Sequence, residues 1–243
     1  MDDTKITLSR LTDLAERRDK HCYCVFSKFL TPAEQQLAMR FKNKALWGGF
    51  AEADRKVAAF YPGFADEEEI YWEIDMVKIT VTDGREYTHR DYLGSLLGLG
   101  IKREVLGDIL IEKDTAFVFC LSSISEYIIH NLTSVARSGV KAQRLEIDES
   151  IIPRKKYEEI TGSVQAPRLD SVTAVVTGKS RSVAAAFVTS GNVKVNFAET
   201  LSVSYTLKEN DILSVRGYGK FIYDGISHVS KKGRNIIKLR KYI

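Results

Sequence analysis

Apolar residues at Ile6, Leu8, Leu11, Leu14 and Ala15 recur at roughly helical intervals and predict a helix over residues 4–19. Thr31-Pro32-Ala33-Glu34 has the form of a capping box with proline at the first helical position. A second helix is therefore expected to run to about Leu46 and to end at Gly48-Gly49. Residues 57–61 read as a strand closed by Pro62-Gly63, with an acidic loop at 66–69. β-Branched and aromatic residues predict a strand over 71–81, and apolar periodicity a helix over 89–99 that stops at Gly98 and Gly100. Two short apolar strands follow at 107–111 and 116–121, then a helix over 123–134 capped by Ser122, then a strand at 140–147. A polar link over 148–157, containing Pro153-Arg154-Lys155-Lys156, marks a domain boundary. Beyond it two helical patterns, 168–177 and 181–190, meet at Gly178, and strands are expected near 193–196, 212–215, 220–223 and 236–239.

The result is an α+β chain. Its middle part has the order β-α-β-β-α-β, that of a ferredoxin-like split βαβ unit, which RNA-recognition-motif domains share. The aromatic string by which those domains stack bases is absent. Ala116-Phe117-Val118-Phe119 reads as a buried strand instead.

Composition narrows the classes. With 243 residues, 44% hydrophobic and 28% charged, the chain is a globular protein of one or two domains, not a disordered or fibrous one. It has no apolar run long enough for a membrane span, and its first residues lack the pattern of a signal peptide. Three cysteines, Cys22, Cys24 and Cys120, read as reduced thiols of a cytoplasmic protein. Charge adds the first functional hint. Residues 163–243 hold 13 Lys or Arg against 5 acids, a balance of +8, whereas residues 1–162 hold 23 against 27, a balance of −4. A basic module on a mildly acidic body is the composition of a polyanion binder.

Recognisable residues lie in that basic part. Arg168-Leu169-Asp170, Ser180-Arg181-Ser182, Ala185-Ala186, Gly191-Asn192-Val193-Lys194-Val195-Asn196 and Asp211-Ile212-Leu213-Ser214-Val215 follow one another in the order of an S4-like RNA-binding domain, which they resemble. Phe197 and Asn210 stand where that family usually has glycine. Upstream, His89 to Ile101 and Arg103-Glu104-Val105-Leu106-Gly107-Asp108 look like the middle domain of the bacterial YlmH family. Gly48-Gly49-Phe50, Arg55-Lys56 and Arg216-Gly217-Tyr218-Gly219-Lys220 fit the same family. The resemblance implies an N-terminal helical and mixed region (1–68), an RRM-like RNA-binding domain (69–150) and a C-terminal S4-like domain (163–243). It also implies a non-enzymatic, cofactor-free role in ribosome-associated quality control on the 50S subunit. The partners implied are rRNA, P-site tRNA and other quality-control factors; no membrane is involved.

The residues themselves suit RNA. Lys179 and Arg181 fall at the start of the second helix of the pair, where unpaired N–H groups and the positive dipole end attract phosphate, and Ser180 is the expected N-cap. Arg168 opens the first helix and is expected in the same groove. Asp170 is expected to serve as a cap or as an arginine partner. Lys194 alternates with buried valines, Asn196 is expected to shape a turn or meet a ribose or base edge, and Arg216 and Lys220 add charge nearby. His89 and Arg90 are RNA candidates in the middle domain. Lys231-Lys232-Gly233-Arg234 and residues 238–241 are expected to meet phosphate without selectivity.

Other motifs point elsewhere and fail. Arg168-Leu169-Asp170 matches the catalytic triplet of pseudouridine synthases, but no catalytic domain follows it. His89-Arg90-Asp91 resembles a kinase catalytic loop without its companions. Gly178-Lys179-Ser180 ends like a P-loop, but Thr173 stands where its first glycine belongs. His21, Cys22 and Cys24 fall short of a zinc ligand set. The remaining alternatives are an rRNA- or tRNA-modifying enzyme anchored by the S4-like domain and a cell-division interaction protein.

Overall fold

A computed structural model describes residues 3–155 and 157–242; Met1, Asp2, Lys156 and Ile243, which include one residue of the expected link, lie outside the described residues. The chain forms two compact units, Met1–Pro153 and Arg154–Ile243.

The first unit opens with α1 (Asp3–His21), β1 (Val25–Leu30), α2 (Pro32–Ala38), β2 (Lys44–Trp47) and β3 (Lys56–Phe60). The three strands form an antiparallel sheet in the order β1-β3-β2. Leu11 and Ala15 of α1 are buried with Leu37, Ala38 and Phe60. The capping box that starts α2 is formed: Glu34 accepts from the Thr31 N–H at 2.7 Å, and the Thr31 hydroxyl accepts from the Glu34 N–H at 3.4 Å. Thr31→Ala is expected to destabilise this unit by about 1 kcal/mol in a denaturant titration.

The helix expected to reach Leu46 stops at Ala38. Asn43 adopts a left-handed φ of 49°, and the Arg18 guanidinium takes the carbonyls of Lys42 and Asn43 at 2.8 and 3.4 Å. The apolar run that follows then pairs with β3, since tertiary pairing outweighs a local helical preference. Gly48-Gly49 closes a strand, not a helix. A side chain on Gly48 would lie 2.4 Å from Ala53 Cβ, and one on Gly49, whose φ is +97°, 2.4 Å from the Phe119 ring.

The unit continues through β4 (Ile74–Val81), α3 (His89–Gly98), β5 (Leu106–Glu112), β6 (Thr115–Leu121), α4 (Ser122–Asn131), β7 (Ser134–Val135) and β8 (Ser138–Leu145). The antiparallel sheet runs β5-β6-β4-β8-β7. One face, with Val77, Ile79, Val118 and Cys120, is buried with Tyr92 and Leu96 of α3 and Ile128 of α4. The other, with Met76, Phe117 and Phe119, is buried with Phe29, Phe50 and Val57. Phe50 and Phe119 meet with ring centroids 4.9 Å apart. Phe117 and Phe119 are thus core, and residues 1–68 and 69–150 share it instead of forming separate bodies. Ser122 is not the cap expected: Leu121 is, and the Ser122 and Ser125 hydroxyls donate to the Asp75 carboxylate at 2.8 and 2.5 Å.

The second unit holds β9 (Tyr157–Val164), α5 (Leu169–Thr177), α6 (Arg181–Thr189), β10 (Val193–Val195), β11 (Ala198–Glu199), β12 (Ile212–Val215), β13 (Gly219–Val229) and β14 (Asn235–Tyr242). Its antiparallel sheet runs β11-β10-β12-β13-β14-β9. Leu169 and Val172 of α5 and Val188 of α6 are buried against Val193, Val195, Leu213, Phe221, Ile237 and Leu239 on one face. β9 is missing from the sequence expectation, which ended the link at 157 and began the last domain at 163. It pairs with β14 in continuous register from Asn235↔Val164 to Tyr242↔Tyr157. Its inward positions include Ile160 and Val164 but also Gly162, where a Cβ would lie 2.4 Å from Val175, so the apolar alternation is interrupted where α5 approaches.

Candidate nucleic-acid interface

α5 is anchored at its start. Arg168 is its N-cap, with extended dihedrals, and the Leu169 and Leu207 N–H groups donate to the carbonyls of Tyr205 and Pro167 at 2.7 and 2.9 Å. The helix ends at Gly178 in the left-handed conformation (φ 65°), which turns the chain into α6. Ser180 caps α6 as expected, its hydroxyl accepting from the Val183 N–H at 3.4 Å. Arg181 is the first helical residue.

Asp170 joins the two helix starts. It is 4% exposed, and its carboxylate accepts from Arg181 Nε at 2.9 Å, from Arg168 Nε at 3.3 Å and from the Ser171 N–H at 2.8 Å. Burial alone would push this carboxyl up, but the hydrogen bonds from Arg181 and Arg168 hold it below the usual carboxylate range. Both guanidiniums keep N–H groups toward solvent, with side chains 38% and 56% exposed for Arg168 and Arg181. One buried carboxylate therefore fixes two planar forks, each suited to phosphate oxygens.

Arg181 also lines a shallow groove of about 420 Å³ with Ser163, Gln165, Ser171, Ala174, Val175 and Arg234. Arg234 lies between β13 and β14 and donates to the Ser163 carbonyl at 2.8 Å. It was legible only as part of a lysine-rich tail; the hairpin brings it into the groove.

The other expected residues divide. Lys179 is exposed in the turn between the helices. Lys194 and Lys220 leave their strands on the sheet face opposite the helices, since their neighbours Val193, Val195 and Phe221 are buried beneath them. Arg216 is exposed in the turn after β12, its N–H on the Asn192 carbonyl. Asn196 shapes a turn: its Nδ2 donates to Asp211 at 2.7 Å and its Oδ1 accepts from the Ile212 N–H at 2.9 Å. Those bonds fix the amide in the turn and engage one of its two N–H groups and one of its two lone pairs. In the first unit His89 and Arg90 open α3 and are exposed, while Asp91 accepts from the Thr88 N–H and hydroxyl at 2.8 and 2.7 Å, a cap rather than a base.

Cys120 is buried, and burial, then the nearby Asp75 charge, pushes its thiol up to about 12. Among the described residues no group of three or more His, Cys, Asp or Glu is placed to hold a metal, and no helix is long and apolar enough to cross a membrane.

Comparison with known proteins adds three findings. Residues 68–149 match the family described as "Putative RNA-binding domain in YlmH". A Bacillus subtilis (strain 168) relative, ribosome-associated protein quality control protein P2, is 29% identical over 212 residues, covering 85% of this chain and 82% of that protein. The solved structure of cell division protein ylmH from Streptococcus pneumoniae shares the fold, with a TM-score of 0.53 at 17% identity, over 60% of this chain and 92% of that one.

Proposed function

We propose that the chain is a member of the YlmH family and that it binds RNA on the large ribosomal subunit in ribosome-associated quality control, without making or breaking a bond. The observation that carries this is the arginine pair fixed by buried Asp170 at the starts of α5 and α6, beside a groove that Arg234 also enters. The helix pair packed on an antiparallel sheet is read as an S4-like domain, taken here from β9 onward. The middle sheet, with spatial order β5-β6-β4-β8, is read as RRM-like. Its aromatic face is filled by Phe29, Phe50 and Val57, so RNA contact there falls to its rim, where His89 and Arg90 are exposed, and not to base stacking on the sheet.

In this reading Arg168, Lys179, Ser180, Arg181 and Arg234 grip the phosphates of an rRNA helix in the 50S subunit, and occupancy holds a tRNA at the P site. Shape, phosphates and 2′-hydroxyls are what such a set reads. The setting is cytoplasmic, as for ribosomes.

The test is co-sedimentation with purified 50S subunits, with and without tRNA, across a salt series. Arg181→Ala is expected to weaken binding about tenfold and to flatten the salt dependence by roughly one unit of log–log slope, because one phosphate contact is lost. Identical sedimentation of wild type and Arg181→Ala at every salt concentration would remove the groove from the interface. Absence of 50S binding at low salt would remove the ribosomal reading.

A further inference from the structure

The sheet face turned away from α5 and α6 carries its own organised set of side chains. Lys194 stands opposite Ser214, Ser214 opposite Lys220, and Tyr242 opposite Tyr157, so one cross-sheet row runs over β10, β12, β13, β14 and β9. Five strands at 4.7–4.9 Å make that row roughly 19 Å wide. Rings and cations alternate along it. Lys220 Nζ lies 5.4 Å from the Phe197 ring centre and 5.8 Å from that of Tyr242. Lys155 Nζ is 5.7 Å from the Tyr242 ring, and the Tyr242 and Tyr157 rings meet edge-on at 5.0 Å. Arg240, gripped by Asp224 at 2.8–3.0 Å, lays its guanidinium 5.1 Å from the Tyr157 ring centre. The acids on this face are Asp224, Glu159, which pairs with Lys238 at 3.3 Å, and Glu199, opposite Lys194.

Phe197 is placed there at a conformational cost. Asn196 and Phe197 form a two-residue hairpin turn between Val195 and Ala198, with φ of 48° and 67°. That geometry favours glycine second, and a phenylalanine in the left-handed region is strained. Its ring is the first rung of the row.

We propose that this face is a second RNA surface, one that takes unpaired nucleotides. Rings and a fixed guanidinium accept bases, whose π-faces are alike in all four, and the interleaved lysines meet the phosphates between them. A duplex offers a sheet no bases to stack on, whereas a single strand does. The surface is separate from the helix-side groove and stands whether or not that groove binds the ribosome.

The experiment measures the full chain by fluorescence anisotropy against a short labelled oligouridylate and a labelled RNA hairpin whose strands are joined by a non-nucleotide linker, so that it offers no unpaired bases. Phe197→Gly relaxes the turn and Tyr242→Leu keeps the bulk of the side chain, so both variants retain the fold. Each is expected to bind oligouridylate about tenfold more weakly, with hairpin binding changed by less than about twofold. Arg181→Ala is expected to do the reverse, which separates failure of this proposal from failure of the groove. Oligouridylate binding unchanged in both ring variants, or absent in the wild type at low salt, overturns the proposal and leaves the face as a protein-docking or purely structural surface.

Discussion

Phe119→Ala is expected to lower the unfolding free energy of the first unit by about 3–5 kcal/mol. The side chain is fully buried at the centre of a sheet face, against Phe50, and Gly49 leaves the space its ring fills. Truncation removes apolar burial and leaves a cavity that the rigid strands around it cannot close. The chain's two tryptophans, Trp47 and Trp72, both pack against this same cluster. Tryptophan fluorescence in urea therefore reports this unit without the second one. A loss below about 1 kcal/mol would mean that the opening region does not seal the sheet as described.

Asp170→Asn is expected to have the second large effect, on both stability and binding. The amide keeps the shape but drops the charge that two guanidiniums share, and its NH₂ cannot accept from either. Breaking a fully buried pair costs about 3–5 kcal/mol; partial exposure of both arginines lowers the expectation to about 2 kcal/mol. The pH dependence follows from the sign of the shift. Asp170 titrates below its unfolded value, so its contribution is complete above about pH 4 and fades as pH falls through the lowered native value. Wild type minus Asn variant should therefore be constant near neutrality and shrink in acid. In 50S sedimentation the variant should lose at least as much affinity as Arg181→Ala, because both forks lose their fixed direction. Full stability with full binding would show that the carboxylate neither holds nor aims them.

Much of this architecture was readable in one dimension. The elements from β4 to β8 other than β7, which falls where the helix over 123–134 was expected to end, and the helix pair lie within a few residues of their expected bounds, since each has strong periodicity and a glycine or a capping residue at an end. Ser180 and Arg181 were legible because a helix start is a local property. What failed was nonlocal. The stretch before Trp47 has an apolar composition that suits a helix until β3 offers it a partner. β9 is polar outside and interrupted by Gly162 inside, so only its pairing with β14 declares it. Arg234 could not be assigned a neighbour without the hairpin that returns it to Ser163. Asn196 carried a plausible polar group, and only the structure shows both ends of its amide engaged. The aromatic row is invisible in sequence because its members are drawn from residues 155–242 in an order set by strand pairing.

The shared core of the first unit also bears on how such proteins can change over evolution. The segment recognisable by family likeness, 68–149, is about one third of the chain, yet one face of its sheet is covered by residues outside it, among them Phe29, Phe50 and Val57. Recombination at those limits would pass on a sheet with Met76, Phe117 and Phe119 bare, a surface more prone to aggregate than to work. The compact unit ends near Pro153 and includes α1, so a change of volume at Phe29, Phe50 or Val57 would have to be matched by one in β6. Similarity limits and physical limits are different boundaries here, and exchange between relatives is expected to succeed only along the second.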